Sequence, residues 1–460
     1  MEEFIDKSIS YASKGSKFVD ACYSSSKKNV LLMKNGTVSA SGYSRDAGLA
    51  LRILDNSISF LSSNTKEWTK LKDDIDGAIK RSKLSGRNKL SDEKAYVDSW
   101  AVEEKRKVED VSISEKVEIL KQLDSLLVMK GIQMRILSLS DNIDEGITEN
   151  TEGTSIRWRL PKVSFFAMIG YLGDGNYEQG TIELGYAGGY EAIDQWNLTE
   201  RVEREADVLK KAATADHISE GTYDLIAGPE ISGIVAHESA GHPSEADRIL
   251  GREMAQAGES FIKKEDKGMR VGSDVVNLVD DPTIEHSFGF YKYDRDGVPA
   301  RKRYLYKNGL VNEFLQNRES AGRTGEKSNG SSRSSEWDKE PLVRMSTTYI
   351  EPGGYKVDEL IEGVKHGIYM KSFTEWNIDD IRFNEKYVGR EAYLIENGEI
   401  KKQIRRPVIE TTTIKFYSSI DAVGNDLEFF AGTCGKGDPM QGVDVWMGGP
   451  HIRLRGVYVR

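Results

Sequence analysis

Val30-Leu31-Leu32-Met33-Lys34-Asn35-Gly36-Thr37-Val38-Ser39-Ala40 carries two strand-like runs joined by Asn-Gly. A two-residue hairpin loop needs positive φ at both central positions, and Asn-Gly supplies that at the least steric cost. The stretch therefore predicts a tight β-hairpin. The same device recurs at Asn308-Gly309 and Asn397-Gly398, among segments that alternate like antiparallel sheet. Outward from the first hairpin, the pattern changes period. A short helix precedes it. Residues 64–84 read as a helix, with Asn64 and Glu67 as a capping box, Trp68, Leu71, Ile75 and Ile79 as its apolar stripe and Gly86 as its stop. Residues 112–129 read as another, capped by Ser112 with Glu115, with Ile113, Val117, Leu120, Leu123 and Leu127 turned inward. Glycine-rich strands are expected over 155–193. A helix is expected over 198–213, with Val202, Ala206 and Leu209 on its apolar side.

The chain's 460 residues exceed one ordinary core, so two domains are expected, with a boundary near Asp216. The fold class is α+β. An N-terminal domain, 1–215, packs helices on antiparallel strands. A C-terminal domain, 216–460, is dominated by a large antiparallel, barrel-like sheet with a helical region around 230–250. Residues 316–341 are rich in Ser, Gly, Arg and Glu and nearly free of apolar residues, which predicts a long mobile loop able to act as a gate.

Composition excludes several classes. Apolar residues make up 38% and charged residues 30%, a globular balance, and the net charge is -10. An acidic excess argues against a nucleic-acid backbone as main ligand. Basic clusters such as Lys105-Arg106-Lys107 are flanked by Glu103, Glu104, Glu109 and Asp110, as on a solvated helix face. The most apolar stretch, 163–172, is about half the length of a membrane span. The acidic start, Met1-Glu2-Glu3-Phe4, lacks a signal-peptide core, and the two cysteines, Cys22 and Cys434, offer no disulfide framework. Together these predict a cytoplasmic protein with no membrane partner.

The chemistry is concentrated in Ile231-Ser232-Gly233-Ile234-Val235-Ala236-His237-Glu238-Ser239-Ala240-Gly241-His242-Pro243. Two neutral imidazoles can bind zinc, and a carboxylate beside them can take a proton from water. On an α-helix five residues advance about 500°, which turns the second histidine away from the first. An i→i+5 π-turn brings the two back together, Gly241 permits the distortion, and Pro243 ends the helix. Ser244 with Asp247 resembles the cap of a following helix. The ordinary alternative is two helix-end histidines with unrelated hydrogen bonds.

A catalytic zinc needs a third protein ligand and an open position. Cys434, in Gly432-Thr433-Cys434-Gly435-Lys436-Gly437-Asp438-Pro439, has glycine and polar neighbours rather than those of a core strand, and thiolate is a strong zinc ligand. Cys22 reads as a small buried hydrophobe. His286, His217 and Glu245 are weaker candidates, and His366 and His451 carry no local support. Gly173-Asp174-Gly175 and Gly185-Tyr186-Ala187-Gly188-Gly189 do not give a nucleotide-binding fingerprint, and tight turns or bulges explain them better.

The chain resembles the TldD/PmbA family of metallopeptidases, in its metal-bearing TldD-type form, over nearly its whole length. The resemblance is carried by Asp20-Ala21-Cys22-Tyr23, Asn35-Gly36 and the run from Gly48 to Leu54. His237-Glu238 with His242-Pro243 follows, then Tyr293-Asp294-Arg295-Asp296-Gly297-Val298-Pro299-Ala300-Arg301. Tyr393 to Gly398, Val423 to Leu427 and Gly432-Thr433-Cys434-Gly435-Lys436 complete the ordered set. It implies His237, His242 and Cys434 as metal ligands and Glu238 as general base. It also implies one zinc ion per catalytic subunit. The family's PmbA-type subunit lacks this set, so its retention implies the catalytic type. Residues 320–341 depart from the segment usual before Arg344-Met345. The resemblance further implies hydrolysis of small or unfolded peptides by a homodimer, or by a heterodimer with a PmbA-type subunit, around an internal chamber. Tyr293, Arg301 and Arg344 are the candidates for substrate or oxyanion contacts. Two other functions compatible with the residues are a peptide-binding scaffold with a structural metal and a metal-dependent hydrolase of another amide or ester.

Overall fold

The computed structural model describes residues 2–254 and 258–460. The opening hairpin is far longer than its turn signal discloses. β1 (Phe18–Lys34) and β2 (Thr37–Leu54) pair antiparallel along their whole length, with Asn35 and Gly36 at φ 46° and 79°. β3 (Ile58–Ser63), β4 (Val97–Ala101), β5 (Met134–Asn150), β6 (Ser155–Gly173) and β7 (Asn176–Ala187) complete a seven-stranded sheet in the order β3-β2-β1-β5-β6-β4, with β7 also on β6. β5 starts well before the expected glycine-rich strands. Asp174 and Gly175, at φ 50° and 78°, form the turn between β6 and β7, so the glycines there serve geometry and not phosphate binding.

Helices cover this sheet in two places. Helix Trp68–Ser82 buries Leu71 and Ile75 with Val19, Ala21, Leu49 and Leu51, and Trp68 and Ile79 pack at the edge of that cluster. It begins four residues later than expected, and the anticipated Asn64 cap is not used. Ser63 and Thr65 hydroxyls instead accept the Thr65 and Glu67 amides, which holds the entry extended. Helix Ile113–Met129 is capped by Ser112, whose hydroxyl accepts the Glu115 amide. Leu120, Leu123 and Leu127 are buried there, whereas Ile113, in the first turn, is 46% exposed. Helix Leu198–Thr214 closes this core with Val202, Ala206 and Leu209.

From Gly221 onward the chain builds two mixed sheets. The larger has nine strands. Its path runs Phe373–Ile378, Asn384–Gly389, Val408–Thr412, Ile452–Val459, Gly221–Ala227, His366–Met370, Ala392–Glu396 and Glu399–Ile404, with Ile420–Val423 also on Ile452–Val459. It forms a half-barrel, antiparallel except where Gly221–Ala227 runs parallel to His366–Met370. The second sheet has six strands, and its far edge is the Glu428–Lys436 and Gln441–Gly449 hairpin. Asn308-Gly309 and Asn397-Gly398 turn hairpins as expected. The α+β reading therefore holds in both halves.

The expected mobile loop over 316–341 is instead folded onto the core. It contains helix Arg318–Thr324, capped by Asn317, and short strand Ser332–Arg333. Several of its polar side chains, Arg318, Asn329 and Ser332 among them, are buried because they are satisfied. Arg318 donates to the Ser91 carbonyl, Asn329 to the Phe314 carbonyl, and the Ser332 hydroxyl to Asp296. Polarity there marks internal hydrogen bonding, not solvent. Among the described residues no helix is long and apolar enough to cross a membrane.

Candidate metal centre

Helix Pro229–Ala236 starts with proline at its first turn and buries Ile231, Ile234, Val235 and Ala236. It lies against the Gln441–Gly449 strand so closely that a Cβ on Gly233 would meet the Gly448 nitrogen at 2.9 Å. The helix then widens. His237–Gly241 is a π-turn in which the His242 amide donates to the His237 carbonyl, and His242–Ser244 tightens into a 3₁₀ turn. The distortion inferred from the five-residue spacing is thus present. Gly241 has ordinary helical φ, -61°, so its role is space. A Cβ there would fall 1.9 Å from Met345 Sδ. Two tyrosines satisfy carbonyls around the wide turn. Tyr417 donates to Val235 O at 3.0 Å and Tyr306 to Ser239 O at 3.1 Å. The expected Ser244 cap is absent from the helix that follows, Ala246–Ile249, whose N-cap residue is Glu245. Asp247 turns instead to the Arg248 and Val343 amides.

Widening the helix puts His237 and His242 on one side, with ring centroids 5.1 Å apart and planes at 81°. Cys434 projects from Glu428–Lys436 opposite Val443, and its Sγ is 3.4 Å from His242 Nε2. One ligand atom from each of the three residues lies within 4.8 Å of the others. Among the described residues this is the cluster able to hold a metal ion. Exposures of 3%, 3% and 5%, with 5% for Glu238, make the site nearly closed to bulk water.

The donor set fits zinc. Bond lengths near 2.1 Å to nitrogen and 2.3 Å to sulfur give tetrahedral edges of about 3.5 Å, close to the Cys434–His242 separation. Among the described residues His237 Nδ1 is buried without a hydrogen-bond partner, which is costly unless something is bound there. Burial pushes both imidazoles below the usual histidine range, toward the neutral form that binds metal. Burial opposes ionisation of Cys434, but His242 and Arg344 outweigh it and bring the thiol down to about 6, so the thiolate is accessible. Burial pushes Glu238 up, offset in part by His237 and Arg382.

Behind the donors lies a charged support. Glu245, fully buried, accepts from His242 Nδ1 at 2.9 Å and leaves Nε2 facing Cys434. It is therefore an outer partner of a histidine rather than a ligand. Lys436, also fully buried, is 3.3 Å from Glu245 and 2.6 Å from Asp247. Arg344 donates to the carbonyls of Cys434 and Gln441, clamping the hairpin that carries the thiol.

The other candidate residues lie elsewhere. Tyr293 donates to Asp98 at 2.9 Å, and Arg301, about half exposed, pairs with Glu313 at 2.7 Å, so neither reaches the donors. Their polar groups are already taken in surface pairs, which a motif cannot reveal. Cys22 is a free, buried thiol beside Arg295. His286 bonds the Ala187 carbonyl and stacks on Tyr186, His217 and His366 are exposed, and His451 joins Tyr369 to Asp426. One residue that no motif pointed to enters the site. Arg382 Nη1 donates to Glu238 Oε2 at 2.6 Å.

Comparison with known proteins follows this geometry. Sequence profiles for the PmbA/TldA metallopeptidase match in three parts, domain 1 at 19–85, the central domain at 106–214 and the C-terminal domain at 220–460. A metalloprotease of Methanothermobacter thermautotrophicus is 30% identical over 96% of this chain and 95% of its own. A zinc metalloprotease TldD homolog of Saccharolobus solfataricus is 32% identical over 52% of each chain. The crystal structure of TldE from Thermococcus kodakarensis superposes with a TM-score of 0.75 at 18% identity, covering 99% of both chains, which shows a shared fold.

Proposed function

The chain belongs to the PmbA/TldD metallopeptidase family, and from that premise we propose that it is a zinc-dependent peptidase acting on small or unfolded peptides. The observation that carries the reading is the convergence of His237, His242 and Cys434, from segments nearly two hundred residues apart, beside a buried carboxylate. Zinc held by His237, His242 and Cys434 would polarise the scissile carbonyl and ease the ionisation of water. Glu238, next in sequence to one ligand, removes the proton from the attacking water and returns it to the leaving amine. Glu245 fixes the His242 ring, and Arg344 holds the Cys434 strand in register. The near-complete burial of these groups keeps bulk water away from the charges that move. A structural, four-ligand zinc is not supported, because the cluster offers three donors among the described residues.

The division at 216 belongs to the same reading, with 1–215 as a supporting domain and 216–460 bearing the site. Its likeness in fold to a protein named TldE supports assembly with a second copy or with a related, metal-free subunit. The test is metal dependence on matched substrates. Chelation should abolish cleavage of a reduced, unfolded protein, and one equivalent of zinc should restore it, while the disulfide-locked form of that protein stays intact. Cleavage that survives complete removal of metal contradicts the reading.

A further inference from the structure

We propose that Arg382 is a positioning residue, which holds the Glu238 carboxylate for proton transfer from a turn whose strained backbone aims it into the metal centre. This deepens the peptidase reading and rests on it.

Three observations carry the proposal. The first is the backbone. Arg382 has φ +65°, a left-handed conformation that a long side chain rarely adopts. Such strain persists only where its surroundings over-determine it, and it gathers at functional sites. Here the surroundings do so. The Arg382 amide donates to the Asp379 carbonyl at 3.0 Å. The Asp379 carboxylate accepts the Phe383 amide at 2.7 Å and the Asn384 side chain at 2.6 Å. Thr413 donates to the Arg382 carbonyl at 2.9 Å, and the Phe261 amide to the Ile381 carbonyl at 2.8 Å. The turn is pinned on both sides.

The second observation is where the side chain goes. Its exposure is 19%, and among the described residues its Nε is buried without a partner and its one ion pair is with Glu238. Arg303, by contrast, is a buried arginine that braces the fold, and it donates to Asp280, Tyr291 and two backbone carbonyls. Arg382 spends a strained backbone on a single carboxylate. The third observation is what the pair leaves open. Among the described residues, Arg382 is the only hydrogen-bond partner of the Glu238 carboxylate, and it takes Oε2. Oε1 is left unengaged on a side chain whose neighbour in sequence is a metal-binding histidine. One oxygen held by a fixed guanidinium and the other free is the arrangement a general base requires.

The test is a cycle read in two ways. Arg382→Asn suits the left-handed backbone, Arg382→Lys keeps the charge, and each is made alone and with Glu238→Gln. In the zinc enzyme, Arg382→Asn should lower kcat about a hundredfold with KM within about twofold and zinc content unchanged. Added guanidinium ion should restore part of the loss. In the metal-free protein, Arg382→Asn should lower Tm by several degrees, because the buried Glu238 carboxyl loses the partner that holds Oε2, and by much less when residue 238 is glutamine. Full turnover in Arg382→Asn, or an equal fall in Tm in both backgrounds, overturns the proposal. A wild-type protein that cleaves no peptide would defeat the peptidase reading instead, and the melting cycle would still decide whether the two residues are coupled.

Discussion

The opening hairpin and the helix that carries His237 and His242 solve opposite problems. β1 and β2 pair for some seventeen residues by repeating one local rule around one Asn-Gly turn. The segment 229–244 breaks its rule at each step, passing from α to π to 3₁₀ within a few residues. The hairpin keeps one antiparallel pattern along its length, with a single register shift between Leu32 and Met33. The helix is irregular because two histidines five apart must face one thiol. Its distortion is held from outside, by Met345 under Gly241 and by hydroxyls from Tyr306 and Tyr417. Regular structure is thus specified locally, and the site by groups distant in sequence.

The largest effect expected from this contrast is on metal. Cys434→Ala leaves two imidazoles and should weaken zinc binding by more than about a hundredfold, whereas Cys22→Ala, in the hairpin half, should leave it unchanged. Competition with a chromophoric chelator measures both. Equal affinities would place the third ligand elsewhere.

A pair of glycines sharpens the contrast. Gly241→Ala forces a methyl against fully buried Met345 and should cost about 1–3 kcal/mol, with reduced zinc affinity as His242 shifts. Gly36→Ala meets a positive φ in the hairpin turn and should cost about 1 kcal/mol, with zinc affinity intact. Denaturant melts of metal-free protein with parallel zinc titrations separate the two. A Gly36→Ala protein that also loses zinc would show that the regions are not independent.

The smallest effect lies where helix Leu198–Thr214 meets helix Pro229–Ala236. Arg390 pairs with Glu205 on the first and with Glu230 on the second. Burial, with Glu205 nearby and against the pull of Arg390, raises Glu230 to about 6 from 4.5. The folded state therefore binds this proton more tightly than the unfolded state. The associated stability is complete below about pH 4.5 and is lost as pH rises through about 6. Glu230→Gln should flatten that part of the Tm profile, and an unchanged slope would remove Glu230 from the account.

The same contrast explains what the sequence discloses. The hairpins, the Ser112 cap and the stripe Leu120, Leu123, Leu127 are local, and reading them needed only neighbours. The π-turn was legible too, because a five-residue spacing leaves few ways to unite His237 and His242. Cys434 stood out by its glycine neighbours. The stretch at 316–341 reads as a long loop because composition does not tell whether Arg318 or Asn329 finds its partner in water or in the protein. Arg382 was invisible for a related reason. Nothing near Asp379-Asp380-Ile381-Arg382 announces a left-handed arginine, and its partner is 144 residues away. Tyr293 and Arg301 were plausible as charge and hydroxyl in a family motif, yet Asp98 and Glu313 claim them.

In the proposed division of labour, Glu238 works on a proton while His237, His242 and Cys434 hold the metal. Glu238→Gln separates these roles, and the decisive measurement is zinc stoichiometry alongside turnover of an unfolded substrate on the same preparation. The variant should carry one zinc per chain, as in the wild type, with turnover reduced by about a thousandfold or more. A Glu238→Gln protein that keeps its zinc and still turns over near the wild-type rate would contradict it.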